Sequence, residues 1–201
     1  MGAGGAAPVR AQQVSVERLE LTVRIDPARQ SLYVKATYHL RASRRRESID
    51  FRLPAAVAPY MDFRRVWDRS GELSWRFLMG DDRPRAVRVY LREPLKPREP
   101  LVLVVSYDLN LKAASGPVRS VVVEAERAQL ATTGWYPLPA ASGARLPLVL
   151  RLAVHVPKEW PVEAPGALKK IFDGTTLAGY ELELRQPRPG KLLFRAGRTL
   201  P

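Results

Sequence analysis

Two imidazoles, a pair of adjacent carboxylates and a run of arginines are the side chains from which this sequence could build chemistry. His39 and His155 are the only histidines among 201 residues, and there is no cysteine. A hydrolytic zinc site takes three side-chain ligands, usually two histidines one helical turn apart with a glutamate as base. Here each imidazole stands alone. Tyr38 and Leu40 flank one, Val154 and Val156 the other, and neither has a Glu-x-x-His partner. Both alternate with apolar neighbours, which places them in the polar, solvent-facing register of a strand. Acyl transfer through serine needs a serine, a histidine and an orienting carboxylate, and the Gly-x-Ser-x-Gly elbow that often carries the nucleophile does not occur. Asp81 and Asp82 follow Gly80 and precede Pro84, which reads as a turn, and neighbouring turn residues diverge rather than face one another as glycosidase carboxylates do. Glycines cluster only at Gly2, Gly4 and Gly5, with no strand before them to present a phosphate loop. These residues assign no catalytic group and no metal ligand, and without cysteine neither a disulfide nor a thiolate metal site is available.

The arginines are the stronger signal. Lys and Arg number 33 against 20 Asp and Glu, a formal charge of +13. The densest run is Arg41 to Arg46, with Arg44, Arg45 and Arg46 at an expected strand end; Arg83, Arg85, Arg88 and Arg92 form a second group. Such charge favours anionic partners, nucleic acid or an anionic surface among them. Nucleic-acid binders usually add exposed aromatics or a groove-reading element. The aromatics Tyr38, Phe51, Trp75, Phe77, Tyr107 and Phe194 instead fall in the apolar register and read as core. Nucleic acid is therefore the disfavoured partner, and Arg44, Arg45 and Arg46 are kept as the candidate contact for an anionic one.

The elements that must carry these residues are strands. Leu19, Leu21, Val23 and Ile25 alternate with polar residues, and Leu32 to Leu40 repeat the pattern. Only a strand sends alternate side chains to opposite faces. Asp26 to Gln30 between them, with Pro27, predicts a hairpin turn. The same alternation marks 49–53, 73–79, 87–91, 101–111, 121–123, 146–156, 182–184 and 192–194. Turn residues separate these runs, and the 18 prolines suit turns and sheet edges better than helices. Ala55 to Met61 offers at most one helical turn, interrupted by Pro59. The expectation is an all-β chain, a large antiparallel saddle or sandwich of roughly ten or more strands with little helix. Its 46% hydrophobic content suffices for a full core. Residues 1–13 read as a leader, 14–197 as a single β domain and 198–201 as a tail. No run reaches the length of about 18 apolar residues that spans a bilayer. The small-residue start fits what remains after a signal segment is removed, which would place the chain outside the cytoplasm; location is otherwise left open.

Several segments, in order, resemble the N-terminal β domain of the aminopeptidase N and leukotriene-A4-hydrolase group of zinc peptidases, in the manner of its divergent bacterial members. They are Leu19 to Leu40, Glu47 to Leu53, Val87 to Tyr107, then Thr133-Gly-Trp-Tyr-Pro137, followed by Val154-His-Val-Pro-Lys-Glu-Trp-Pro-Val162 and Ala164-Pro-Gly166. The Trp-Tyr-Pro motif followed by Val-Pro-x-x-Trp is the most specific part. The resemblance implies a curved β saddle packed beside a separate catalytic domain, which in that family carries Gly-x-Met-x-Asn and His-Glu-x-x-His. Neither motif occurs here. Many relatives also carry Gln-x-Glu in the β domain to hold the substrate's amino group; this sequence has Thr132-Thr133-Gly134-Trp135 where that segment is expected. The expected function is thus a non-catalytic domain that packs on a catalytic domain and shapes access to it, with no cofactor of its own and zinc confined to that other domain. The alternative is an independent binding module for anionic partners. Trp135, Tyr136 and Pro137 have two readings: a loop plugged into this domain's own core, or a ridge that packs on the catalytic domain.

Overall fold

The computed structural model describes residues 14–80, 83–114, 118–140 and 146–198. Sixteen strands lie among them: β1 Val14–Asp26, β2 Ser31–Ala42, β3 Arg46–Arg52, β4 Met61–Asp68, β5 Gly71–Glu72, β6 Trp75–Gly80, β7 Arg83–Leu95, β8 Pro100–Asn110, β9 Val121–Val123, β10 Arg127–Ala131, β11 Leu138–Pro139, β12 Val149–Pro157, β13 Val162–Glu163, β14 Lys169–Asp173, β15 Leu177–Arg185 and β16 Leu192–Gly197. The only helical pieces described are two 3-10 turns, Ala58–Tyr60 and Leu111–Ala113. Pro59 lies in the opening turn of the first, behind Ala58, where its fixed φ is tolerated and its missing N–H costs nothing. The chain is all-β, as its alternation requires.

The strands form three sheets. The largest runs β14-β15-β12-β1-β2-β8-β4-β5; the others run β13-β16-β10-β9 and β11-β3-β7-β6. The β1–β2 hairpin forms where expected. Arg29 N–H donates to the Asp26 carboxylate, Gln30 N–H bonds Pro27 O, and Gln30 closes the turn at positive φ. Pairing is antiparallel except between β1 and β12, which run parallel. The long connection between them carries all four strands of the third sheet and β9 and β10 of the second; β13 and β16, which complete the second, follow β12.

Period-two packing holds wherever the ladder is regular. Leu19, Leu21, Val23 and Ile25 of β1 are buried, as are Leu32 to Leu40 of β2 at alternate positions. β-bulges break it elsewhere. A register shift between Val16 and Arg18 lets Val16 and Leu19 both point inward. Another between Phe63 and Arg65 does the same for Phe63 and Val66, so β4 carries no simple alternation and escaped the pattern. A third, opposite Leu130 and Ala131, buries both Leu193 and Phe194. β14, all of whose residues are exposed, also lacks the pattern. β12 begins at Val149, and Leu148 is left exposed rather than inward as expected. One cluster of buried residues includes members of all three sheets.

Candidate functional site

Residues 132–137 lie where the three sheets meet. β10, in the second sheet, leads into the segment; β11 leaves it and pairs with β3 in the third; and Tyr38 of β2 and Tyr107 of β8 reach it from the first. Trp135 and Tyr136 are buried to within 1% of full, and Pro137 is buried beside them. The two rings meet edge to face, with centroids 5.1 Å apart and planes at 87°, an arrangement aromatic quadrupoles favour.

Burying a segment with no strand partner leaves its backbone polar groups to be satisfied by side chains. Tyr38 Oη donates to Pro137 O at 2.8 Å, and Tyr107 Oη to Trp135 O at 3.4 Å. Ser120 Oγ donates to Gly134 O at 2.7 Å, and Trp135 Nε1 to Ala131 O at 2.6 Å. Tyr136 Oη bonds Thr132 O. Thr132 is tied to the chain before β16: its N–H donates to Lys191 O at 2.8 Å, and its hydroxyl accepts from Lys191 N–H and donates to Arg188 O. Burial pushes the Tyr38, Tyr107 and Tyr136 phenols well above their ordinary range, and their mutual proximity adds to the shift for Tyr38 and Tyr107. All three stay protonated at neutral pH and so remain donors. Gly134 sits at φ +92°, and a Cβ there would lie 2.8 Å from Ser120 Cβ. The segment is thus held rigid by donors from distant parts of the chain.

Of the two places open to Trp135 and Tyr136, both rings occupy the interior of this chain's own core. Their faces form no exposed ridge. What the segment turns outward is an open apolar depression of about 180 Å³ lined by Leu53, Pro54, Gly134, Leu138 and Pro139 among others.

The remaining sequence candidates fall elsewhere. His39 and His155 share the outer face of the large sheet. His39 pairs with Arg18, and His155 with Arg24, two strands apart and six residues along β1, so roughly 20 Å separates them along the strand direction alone. Neither stands free in solvent: His39 Nε2 lies 3.7 Å from a Glu20 oxygen, and the His155 ring meets Phe172 at 6.0 Å. Among the described residues no group of three His, Cys, Asp or Glu could hold a metal ion, and these residues do not fit zinc. Asp81 and Asp82, the leader 1–13 and residues 199–201 lie outside the described residues. Arg44 and Arg45 are exposed at the β2–β3 turn, whereas Arg46 is half-buried at the start of β3 opposite Leu95. The β7–β8 turn joins this corner through Arg98 N–H to Ala42 O, 2.8 Å, and brings the exposed Lys96 and Arg98 with it. Sequence gave no sign of that addition, because the two turns are some fifty residues apart. In the second arginine group, Arg88 holds Asp50 through two bonds and Arg92 holds the carbonyls of Ser70 and Glu72. Those cations serve the fold itself.

The architecture is one shared with M1 zinc metallopeptidases. The M1 zinc metallopeptidase of Deinococcus radiodurans matches with a TM-score of 0.70 at 20% identity, over 94% of this chain and 44% of that chain. A mutant of it bound to a Tyr-Ser-Ala substrate, and a mutant two-domain M1 zinc metallopeptidase bound to L-tryptophan, match over the same shares with the same TM-score at 21% identity. This chain therefore spans less than half the length of those proteins. No family model and no curated protein matches it.

Proposed function

We propose that this chain acts as the non-catalytic β domain of an M1-type zinc aminopeptidase-like protein, packing on a separate catalytic domain and shaping access to it. The carrying observation is the coverage: 94% of this chain accounts for only 44% of a structural neighbour described as having two domains. The ordered series of segments seen in the sequence points to the same group. Zinc and the hydrolytic chemistry belong, in this reading, to the other domain, since the histidines here cannot meet at one ion. The rigid Thr132–Pro137 segment and the apolar depression beside it supply a preorganised face for a neighbouring domain, with Trp135, Tyr136 and Pro137 as the support beneath it. Preorganisation matters because a loop already ordered loses little entropy on docking. Two tests apply. The 201-residue chain should hydrolyse no amino-acid anilide, with or without added zinc; zinc-dependent turnover by the chain alone refutes the reading. The gene offers a second check, since a reading frame continuing into His-Glu-x-x-His supports it.

The corner formed by Arg44, Arg45, Lys96 and Arg98 favours the alternative, an independent module for an anionic partner. Binding of nucleic acid or of anionic vesicles that weakens steeply with salt, and is lost on replacing Arg44 and Arg45, would support that alternative.

A further inference from the structure

On the outer face of the large sheet, β2, β8 and β4 lie side by side. One row across them reads Lys35, Ser106, Arg65. The residues before and after Lys35 and Ser106, and Val66 beside Arg65, are buried, so the row faces outward. The β4 bulge is what makes this possible: it leaves both Arg64 and Arg65 exposed, where a regular strand would turn one of them inward.

Ser106 is one of only two buried polar residues described, at 3% exposure. Its hydroxyl makes no hydrogen bond among the described residues. It lines an open depression of about 490 Å³ with Tyr33, Arg64, Arg65, Trp67 and Asp108. Packing alone does not call for a hydroxyl there, because Val102 and Val104 occupy the same outward register of β8. Lys35 Nζ lies 5.7 Å from the Trp67 ring centroid. Strands two apart are separated by about 10 Å, so the Lys35 side chain reaches across β8 toward Trp67 on β4. Arg64 is neutralised by Asp108. Lys35 and Arg65 have no acidic partner among the described residues.

In one row an ammonium, a hydroxyl and a guanidinium supply donors and positive charge, the pattern that charge-assisted bonds to an oxyanion require. Trp67 and Tyr33 stand two residues from the row in opposite directions, about 7 Å along the strands, and Tyr33 is 40% exposed. We propose that the Lys35–Ser106–Arg65 row is a binding subsite for the oxyanion of a small ring-bearing ligand, a carboxylate, phosphate or sulfate, whose ring rests on Trp67 or Tyr33. This inference does not depend on the function proposed above.

The test titrates the 201-residue chain with glucuronate, glucose 6-phosphate, neutral glucose and inorganic phosphate, following amide and indole NMR signals. Both sugar anions should shift the Trp67 indole and the Lys35, Arg65 and Ser106 amides, with whichever binds more tightly identifying the preferred anion. Glucose should shift none of them, and phosphate should bind more weakly than glucose 6-phosphate. Arg65→Ala and Lys35→Ala should each weaken the sugar anions about tenfold, as loss of a charge-assisted contact implies, with melting unchanged. Ser106→Ala should weaken them less. Equal shifts with glucose, phosphate binding as tightly as glucose 6-phosphate, affinity unchanged in Arg65→Ala, or shifts centred on Arg44 and Arg45 would each overturn the assignment.

Discussion

Removing one oxygen atom from Tyr38 tests whether distant phenols hold the Trp-Tyr-Pro segment in place. The Tyr38 hydroxyl donates to Pro137 O at 2.8 Å, and both groups are buried. No other donor to Pro137 O is found among the described residues. Tyr38→Phe keeps the ring and its contact with Phe51, whose centroid is 4.9 Å away, so the change in packing is small. What remains is a buried carbonyl without a partner, which costs about 1–3 kcal/mol. Tyr107 supplies an internal comparison. Its bond to Trp135 O is 3.4 Å long, beyond the common range for O–H···O contacts, so Tyr107→Phe should cost only about 0.5 kcal/mol, at the bottom of the range for net hydrogen-bond contributions. Because both bonds restrain one segment, the double variant should depart from additivity by about 0.5 kcal/mol or more. Urea unfolding followed by tryptophan fluorescence measures all three, and equal slopes confirm that stability rather than denatured-state compactness has changed. A Tyr107→Phe cost equal to or greater than that of Tyr38→Phe, or both variants within experimental error of the parent, would show that the phenols serve packing alone.

The same phenols set an alkaline limit. Tyr38, Tyr107 and Tyr136 have folded-state pKa values raised above the unfolded value near 10, so their contribution is fully present below that pH and declines as pH climbs above it. The loss is about 1.4 kcal/mol per pH unit for each phenol that stays protonated only when folded, and urea titrations at pH 8, 10 and 11 should show it. Gly134→Ala should destabilise by about 1–3 kcal/mol, from positive φ and the clash with Ser120 together. Gly166→Ala, also at positive φ but with open space around it, should cost less in the same thermal-melt series. Arg88→Ala should cost at most about 1 kcal/mol, because its pair with Asp50 is about a third exposed at both ends, and the cost should shrink with salt.

The sequence discloses the fold where ladders are unbroken. Leu19 to Ile25, Leu32 to Leu40 and Leu103 to Leu109 alternate cleanly because each strand pairs residue for residue with its neighbour. It conceals the fold where one residue too many sits in a strand: at Glu17, at Arg64 and at Leu193 the inward side chains fall an odd number of residues apart or side by side, and alternation reads as noise. The same bulge that hides β4 turns Arg65 outward, so the Lys35–Ser106–Arg65 row depends on a register that no local pattern encodes.

The Trp-Tyr-Pro segment was visible as aromatic residues outside any alternation, but its orientation was not. Its direction is decided by Tyr38, Tyr107 and Ser120, at separations of 99, 28 and 14 residues from the carbonyls they hold. From sequence the two tyrosines read as core rings, and a phenylalanine would pack at either position nearly as well. That redundancy is the legible clue. A core that uses tyrosine at an inward strand position must give the hydroxyl a partner, and with every neighbouring ladder position already paired, the partner has to come from a buried stretch that lacks a strand of its own. Two inward tyrosines on adjacent strands β2 and β8 therefore predict an irregular segment crossing above them, and Ala131 to Pro137 is the aromatic one available.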